Sequence, residues 1–438
     1  MLKNIYLYYL NFKDLLISKI FCNKERRNIQ KSLFVVNQFA NTPDLPGHTR
    51  QYEVSKFLVK NGWEINIYAS DFNLSKRKFT KLKNIQIFKK NIITGINWYW
   101  IRVFPYKKNN FLRYINILSF CFLSSSFLIF HLIIKSLRKD NKVIIFASSP
   151  QLPAAFLSLL IAKVFKKKFV VEIRDLWPQI YIDYSSVNKD SYFIKFLMKL
   201  ESYIYRNSDK VVVLSEGSVD YVKRRGAKDV IWLPNGPSLK EFNYFSLPKE
   251  TNSFSEKRPF KILYAGAHGE VNNLMNILKT ASLLESFPIL FVFLGDGPEK
   301  VKLIKKAESL NNVLFLDPIA KKDMPKMIAS SDAVLISLKD IALFKYGVSP
   351  NKLYDAYAVG RPVISSVGGL INREIENYRI GVTAPPNSPK KLSESIIDLY
   401  TTPREDRELM SKRARALSEK IYSREIINLK YIDLLNHL

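Results

Sequence analysis

The sequence predicts an α/β chain built from two doubly wound parallel sheets. Short β-branched or aromatic runs alternate with helical stretches, and this rhythm stops near residue 235 and restarts near 258. Size agrees: 438 residues exceed one ordinary domain and suit two.

The elements follow in order. Met1 to Phe21 is apolar and tyrosine-rich but is broken by Lys3, Lys13, Asp14 and Lys19. It lacks the uninterrupted apolar core and cleavage site of a signal peptide. Residues 1–31 therefore read as an amphipathic extension, either a surface anchor or a helix packed on the first domain. From Ser32, the runs SLFVVNQFA, WEINIYAS, KVIIFAS, KFVVEIRD and KVVVLS, with a helix from about Thr49, define a first domain over 32–235. Within it, residues 111–134 hold 17 apolar residues in 24 and a single charge, Arg113. That length suffices to span a bilayer. Asn116, Ser119, Ser124, Ser125, Ser126 and His131 interrupt the segment, so an interface-lying helix, a buried domain helix and a span all stay open. A Pro-, Ser- and Asn-rich stretch without period marks the boundary at about 235–258. Beyond it, FKILYAGA, LFVFLGDG, NVLFLDPI, AVLISLKD and RPVISSVGG define a second domain over 236–415, and 416–438 is a helical end.

Charge narrows the partners. There are 68 Lys and Arg against 39 Asp and Glu, a net charge of +29, and the first 200 residues hold 33 of the basic but only 11 of the acidic side chains. An anionic neighbour is expected. The basic residues are interleaved with aliphatic runs and no nucleic-acid motif is present, so an anionic membrane surface or a pyrophosphate-bearing lipid fits better than nucleic acid. Two cysteines, Cys22 and Cys121, exclude a disulfide framework and a Cys-based zinc site. The absence of GxGxxG, a Walker loop, a Ser-His-Asp order and His/Cys metal spacing weighs against dinucleotide redox, P-loop and zinc chemistry.

In open parallel sheets, ligands collect at the carboxyl ends of strands, where backbone amides and helix N-termini point outward. Four segments sit there. NTPDLPGHTR follows the first strand and leads into a helix. Gly266-Ala267-His268-Gly269 follows KILYA, with an imidazole donor where an anion would sit. GDGPE places Gly295, Asp296 and Gly297 at a third strand end. SPNKLYD places Ser349, Asn351 and Lys352 at a helix start, with Asp355 one turn on. Amides and a cation for phosphates, with a carboxylate for ribose hydroxyls, are what a nucleoside diphosphate requires.

Together GHTRQYEVSKFLVKNGWEINIYAS, VVEIRDLWPQ, LPNGP, ILYAGAHG, FLGDGPE, SDAVLISLKD and SPNKLYDAYAVGRPVISSVGG resemble glycosyltransferase family 4, from about Ser32 to Ser423. Within that family the chain is similar to the branch that adds N-acetyl-fucosamine-type amino sugars to lipid-linked O-antigen or capsule intermediates. The resemblance implies the GT-B architecture: two Rossmann-like domains with the reaction cleft between them, acceptor on the first, nucleotide sugar on the second. The last helices would cross back to the first domain. It implies retaining, metal-independent transfer from a UDP-sugar, with no cofactor, to a polyprenyl-diphosphate-linked saccharide at the cytoplasmic face of the inner membrane.

By position, the resemblance implies that Gly266, His268 and Gly269 face the donor diphosphate and that Asp355 holds the ribose. Pro318 and Ile319 would line the base, and Ser349, Asn351 and Lys352 would meet sugar and phosphates. On the acceptor side it implies Gly47, His48, Arg50, Glu172 and Trp177, with Arg174 and Asp175 as the paired polar groups facing the cleft. Arg174, Asp175, His268 and Lys352 are the catalytic candidates. Departures accompany this. One of the family's paired glutamates is replaced by Gly347 and the other is shortened to Asp355. Its diphosphate-neutralising Arg and Lys fall at Ala267 and Asn272. Its first-domain histidine gives way to Ala147-Ser148-Ser149-Pro150. These departures motivate an alternative, a catalytically silent GT-B-like membrane scaffold for partner transferases.

Overall fold

A computed structural model describes residues 31–438 apart from 46–47, 74–76, 84–85, 108–110, 138–141, 150, 185–187 and 244–257. The N-terminal extension and Gly47 lie outside the described residues.

The first sheet has eight strands: β1 (Ser32–Val36), β2 (Glu64–Ser70), β3 (Phe88–Ile93), β4 (Ile96–Ile101), β5 (Val143–Ser148), β6 (Lys168–Ile173), β7 (Lys210–Val213) and β8 (Val230–Trp232). Their spatial order is β8-β7-β6-β5-β1-β2-β4-β3. All pairs are parallel except the edge pair β3–β4. The second sheet contains β9 (Phe260–Ala265), β10 (Ile289–Leu294), β11 (Val313–Leu316), β12 (Ala333–Ser337), β13 (Val363–Ser366) and β14 (Gly381–Thr383), in the order β11-β10-β9-β12-β13-β14 and wholly parallel. Strands such as VIIFAS and AVLIS are buried throughout, because helices cover both faces of a parallel sheet. Sequence reading missed the whole edge pair, the polar, half-exposed β3 and the mostly buried β4, and the short β8 and β14.

Four helices matter on the first sheet: α1 (Arg50–Lys60), α2 (Phe111–Leu137), α3 (Leu152–Val164) and α4 (Tyr192–Asn207). In the second domain α5 (Asn351–Val359) packs against α6 (Arg404–Leu417). The last helix, α7 (Arg424–Asn436), leaves that domain and lays Ile427, Tyr431, Leu434 and Leu435 on the first sheet beside α1.

Two chain crossings thus join the domains, and they touch. Any side chain on Gly236 of the first would collide with the Tyr422 carbonyl of the second, and the Arg424 amide donates to the Pro237 carbonyl at 2.9 Å. The domains also share apolar contact. Leu343, with Ile341, Phe344 and Tyr346, leaves the second domain and packs into the first-domain core, where the Tyr346 ring meets Tyr221 at 5.3 Å.

The long apolar helix α2 is oriented against its composition. Its buried face carries Asn116, Ser124, His131 and Lys135 along with Phe120, Leu128 and Leu132. Gln38 donates to Asn116 at 2.6 Å, Asn116 donates to the Phe104 carbonyl at 2.6 Å, His131 Nδ1 meets the Tyr68 hydroxyl at 2.6 Å, and Lys135 pairs with Glu64. Asn116, Ser119, His131 and Lys135 are therefore bonded to the domain over about five turns, whereas Ser124 and Ser126 bond back to carbonyls of α2 itself. The outward face presents Phe111, Tyr114, Leu118, Phe122, Ile129, Ile133 and Leu137. By length and composition it is the one helix among the described residues that suffices to cross a membrane.

A buried ion pair fixes how these parts meet. Arg50 Nε donates to Glu172 at 2.9 Å, with both side chains almost wholly enclosed. The other Arg50 donors reach the Pro234 and Leu233 carbonyls at 2.6 Å, Asn235 Oδ1 at 3.1 Å and the Tyr431 hydroxyl at 2.9 Å. Glu172 also accepts from Gln51, Ser148 and Tyr431 at 2.8, 2.9 and 2.6 Å. Burial opposes its ionisation, but the charges of Arg50 and Arg174 outweigh this and hold the carboxyl below its ordinary pKa. Removing one member of such a pair strands the other. Glu172→Gln should lower the unfolding free energy by about 3–5 kcal/mol, against about 1 kcal/mol for Tyr431→Phe, as read from urea melts.

Candidate active site

A cavity of about 350 Å³ opens between the domains, directly outside this ion pair. The start of α1 supplies one wall, with His48, Arg50 and Glu53, and Arg174 joins them from the end of β6. Ile319 and Lys321, which follow β11, face them with Asn351, Tyr354 and Asp355 from the N-terminal half of α5. Asn235 of the first crossing and Arg424 of α7 complete the rim.

Electrostatics divide this lining. Burial, then the charge of Arg174, push His48 down to about 4, so its ring is neutral at pH 7. Its Nδ1 accepts from Arg174 Nη2 at 2.8 Å, which leaves Nε2 as the protonated nitrogen. Asp355 is pushed up to about 7 by burial, partly opposed by the charges of Lys321 and Arg424. Arg424 is itself balanced by Glu53 at 3.3 Å and Glu241 at 3.6 Å. The N-terminus of α5, where backbone amides have no intrahelical acceptor, adds positive potential at Asn351.

A second cluster lies at the carboxyl end of β9, beside the cavity wall. Lys352 Nζ donates to Asn272 Oδ1 at 3.2 Å and stands 4.0 Å above the Tyr264 ring. Gly266 adopts φ +151°, a backbone conformation that a side chain would strain, and lies in contact range of that amine. Burial lowers Lys352 to about 7. Gly269 caps the short turn Glu270–Asn272 that carries Asn272.

The structure brings His48, Arg50, Arg174, Ile319, Asn351 and Asp355 into one cavity, with Gly266, Gly269 and Lys352 in the adjoining cluster. Other expectations are corrected. His268 is not a free donor. Its imidazole is wholly buried, 6.0 Å from the rings of Tyr264 and Phe315 and 6.4 Å from Phe293. Neither ring nitrogen has a partner among the described residues, and burial, then Lys300, lower its pKa. Glu172 does not face the cleft, and the Arg50 donors are already committed to protein. Trp177 stacks on Tyr181 at 5.7 Å against the first-domain core. Ser349 accepts from the Asn235 amide at 3.1 Å and so braces the first crossing. Asp175 and Pro318 are exposed outside the cavity lining. Lys321, Arg424 and Glu53 were missed because each lies outside any strand-end motif and joins the site through long-range packing.

Known proteins with this architecture now bear on it. Over 93% of its length the chain superposes on sucrose-phosphate synthase from Thermosynechococcus elongatus, covering 99% of that protein at a TM-score of 0.69 and 15% identity. It likewise superposes on Anabaena Alr3699/HepE solved in complex with UDP, covering 93% and 100% of the two chains at a TM-score of 0.63 and 13% identity. The fold is GT-B.

Residues 248–417 of the GT-B chain match the family described as Glycosyl transferases group 1. It is 27% identical over 246 residues to WbjE of Pseudomonas aeruginosa, named as a glycosyltransferase, over 53% of this chain and 60% of WbjE. It is 25% identical over 235 residues to WcaI of Escherichia coli (strain K12), whose name assigns it to colanic acid biosynthesis as a glycosyl transferase, over 51% of this chain and 57% of WcaI. In both relatives the match spans less than two thirds of the protein.

The departure at Gly347 has a steric basis in this GT-B chain. Gly347 adopts φ +79°, and a Cβ on it would overlap Ser215 Oγ of the first domain, which donates to the Tyr346 carbonyl at 2.9 Å. A glutamate there must displace the domain contact. Gly347→Glu should cost about 1–3 kcal/mol, seen as a lowered melting temperature. Adding Ser215→Gly should recover the steric part and leave the backbone part.

Proposed function

We propose that the chain is a retaining, metal-independent glycosyltransferase. It moves a sugar, by resemblance an N-acetylated amino sugar, from UDP to a polyprenyl-diphosphate-linked saccharide in O-antigen or capsule synthesis. The cavity between the two GT-B domains carries the reading, because polar groups of both domains converge there as a two-substrate transfer needs. The group 1 match over the second domain supports a glycosyl donor on that side, and HepE, solved with UDP, supports a uridine nucleotide. WcaI, named for colanic acid synthesis, supports a surface polysaccharide as product.

In this reading Asp355 accepts from ribose hydroxyls, Ile319 flanks the base, and Lys352, Lys321 and the amides of α5 receive the diphosphate. Charge accumulates on the departing phosphate in the transition state, and cations set in place around it stabilise that charge without a metal. The acceptor enters on the His48 and Arg174 side, and its hydroxyl attacks the face that the diphosphate leaves. Domain closure excludes water.

The outward face of α2 supports peripheral attachment to an anionic membrane at the cytoplasmic side. A helix that buries Asn116, His131 and Lys135 while presenting Phe111, Leu118 and Phe122 is suited to an apolar cover. The basic excess of the first 200 residues complements anionic headgroups.

Thermal titration with UDP, GDP, ADP and CMP tests the donor assignment: selective stabilisation by UDP is expected. No shift with any nucleotide would favour the silent scaffold, which Gly347 and the buried His268 recommend. Lys352→Met should reduce kcat/KM by about 10²- to 10³-fold.

The pH dependence is specific. Asp355 must be ionised to accept from the ribose, and its pKa raised to about 7 favours this only at higher pH. Lys352 must be charged, and its pKa lowered to about 7 favours this only at lower pH. Affinity for the UDP-sugar should therefore peak near neutrality. Calorimetry should find the acid limb flattened in Asp355→Asn and the alkaline limb flattened in Lys352→Met. A flat wild-type profile between about pH 5 and 9 would remove both assignments.

A further inference from the structure

A second cavity, of about 330 Å³, lies away from the cleft on the outer side of α4. Met198, Lys199, Ser202, Tyr203, Arg206 and Arg225 line it. Three of these six residues are cations. Lys199 and Arg206 are exposed and have no hydrogen bond or ion pair among the described residues. Arg225 is held in place from behind: its Nη1 lies 3.5 Å from the fully buried Glu201 and its guanidinium stands 5.2 Å from the Tyr221 ring. Glu201 is fixed in turn by the hydroxyls of Tyr205 and Tyr221, at 3.0 and 3.3 Å. Arg206 lies along the backbone of Gly226. Gly226, at φ +105°, gives its stem room, and a Cβ there would collide with it.

The surroundings point to the source of an anion. The exposed face of α4 reads Tyr192, Phe193, Lys195, Phe196, Lys199, Tyr203 and Arg206, with aromatics and cations interleaved. Aromatic rings at headgroup depth beside cations that reach the phosphates are the pattern of a surface lying in a bilayer interface. α4 packs on α3, and α3 on α2, so this face belongs to the same helical layer as the apolar stripe of α2. A guanidinium held in place at Arg225, with the Arg206 guanidinium and the Lys199 ammonium beside it unengaged among the described residues, suits a phosphate with several acceptor oxygens.

We propose that this cavity binds the phosphate of an anionic phospholipid headgroup, a site separate from the catalytic cleft that fixes the first domain on the membrane. The proposal rests on the membrane attachment argued above.

Sedimentation of the full chain with vesicles of phosphatidylcholine alone, and of phosphatidylcholine mixed with phosphatidylglycerol, tests it. The wild type should prefer the mixed vesicles, and Lys199→Ala with Arg206→Ala should weaken that binding about thirtyfold. Lys305→Ala with Lys306→Ala removes the same charge from an exposed part of the second domain and should leave binding unchanged. Arg206→Lys keeps the charge but loses the planar fork, and should still lower the preference. Equal losses in the two double variants would reduce the effect to diffuse attraction and overturn the site, as would no loss in the first. Wild-type binding to both vesicles without preference would overturn the site alone. Binding to neither would overturn the membrane reading with it. Displacement from mixed vesicles by inorganic phosphate, at concentrations where chloride of matched ionic strength has no effect, would replace the lipid headgroup by free phosphate as the ligand.

Discussion

The Arg50–Glu172 pair is the constraint on which the arrangement of this chain depends. It is nearly removed from water, where an unpartnered charge costs several kcal/mol. The pair persists because Gln51, Ser148, Tyr431, Asn235 and the Leu233 and Pro234 carbonyls all hydrogen-bond to it. These neighbours come from α1, β5, the first interdomain crossing and α7, four parts widely separated in sequence. The polar cluster therefore specifies which helix returns to the first sheet and where the linker lies. The cavity opens just outside it, so its walls are held by charges that cannot relax without loss of the fold.

The two faces of the first domain serve different surroundings. Toward the second domain, Leu343 and its neighbours plug the core. On the opposite side of the sheet from α1 and α7, α2 turns its polar residues inward and its aromatic and aliphatic residues outward. This reverses the arrangement that water favours, since burying Asn116 and His131 is tolerated only with hydrogen-bond partners. Tyr68, Gln38 and the Phe104 carbonyl are those partners. The same layer holds the basic cavity of α4.

In the cleft, the positive groups differ in kind. Arg174 is spent on His48 and Arg424 is balanced by two glutamates, whereas Lys352 in the adjoining cluster has a neutral amide and the Tyr264 ring as its polar and ring contacts among the described residues. Burial without a counter-charge makes Lys352 a cation that an anionic ligand would stabilise. Asp355 is the complementary case, a carboxylate whose burial is only partly offset by cations. Groups displaced toward neutrality from opposite sides are those that a charged, hydroxyl-bearing ligand would satisfy.

Local pattern was enough to read the doubly wound class, the long apolar helix and the strand-end motifs, because strand periodicity, turn residues and helix starts are written in adjacent residues. That is why Asn351, Asp355 and the Gly266–Gly269 turn could be located from sequence. The direction of side chains could not. His268 stands between glycines in a loop-like motif, yet it packs among Tyr264, Phe293 and Phe315 because their strands bring three rings together. Glu172 sits in a signature at a strand end, yet it points inward to Arg50. Lys321 and Arg424 carry no motif, and α7 brings Arg424 to the cleft from the far end of the chain. The sequence alone determined most of the elements, their alternating order and the charge imbalance. Tertiary structure decided which polar groups face the cleft and which stabilise the interior, because burial and long-range pairing, rather than residue type, set whether a charged side chain is free to meet a ligand.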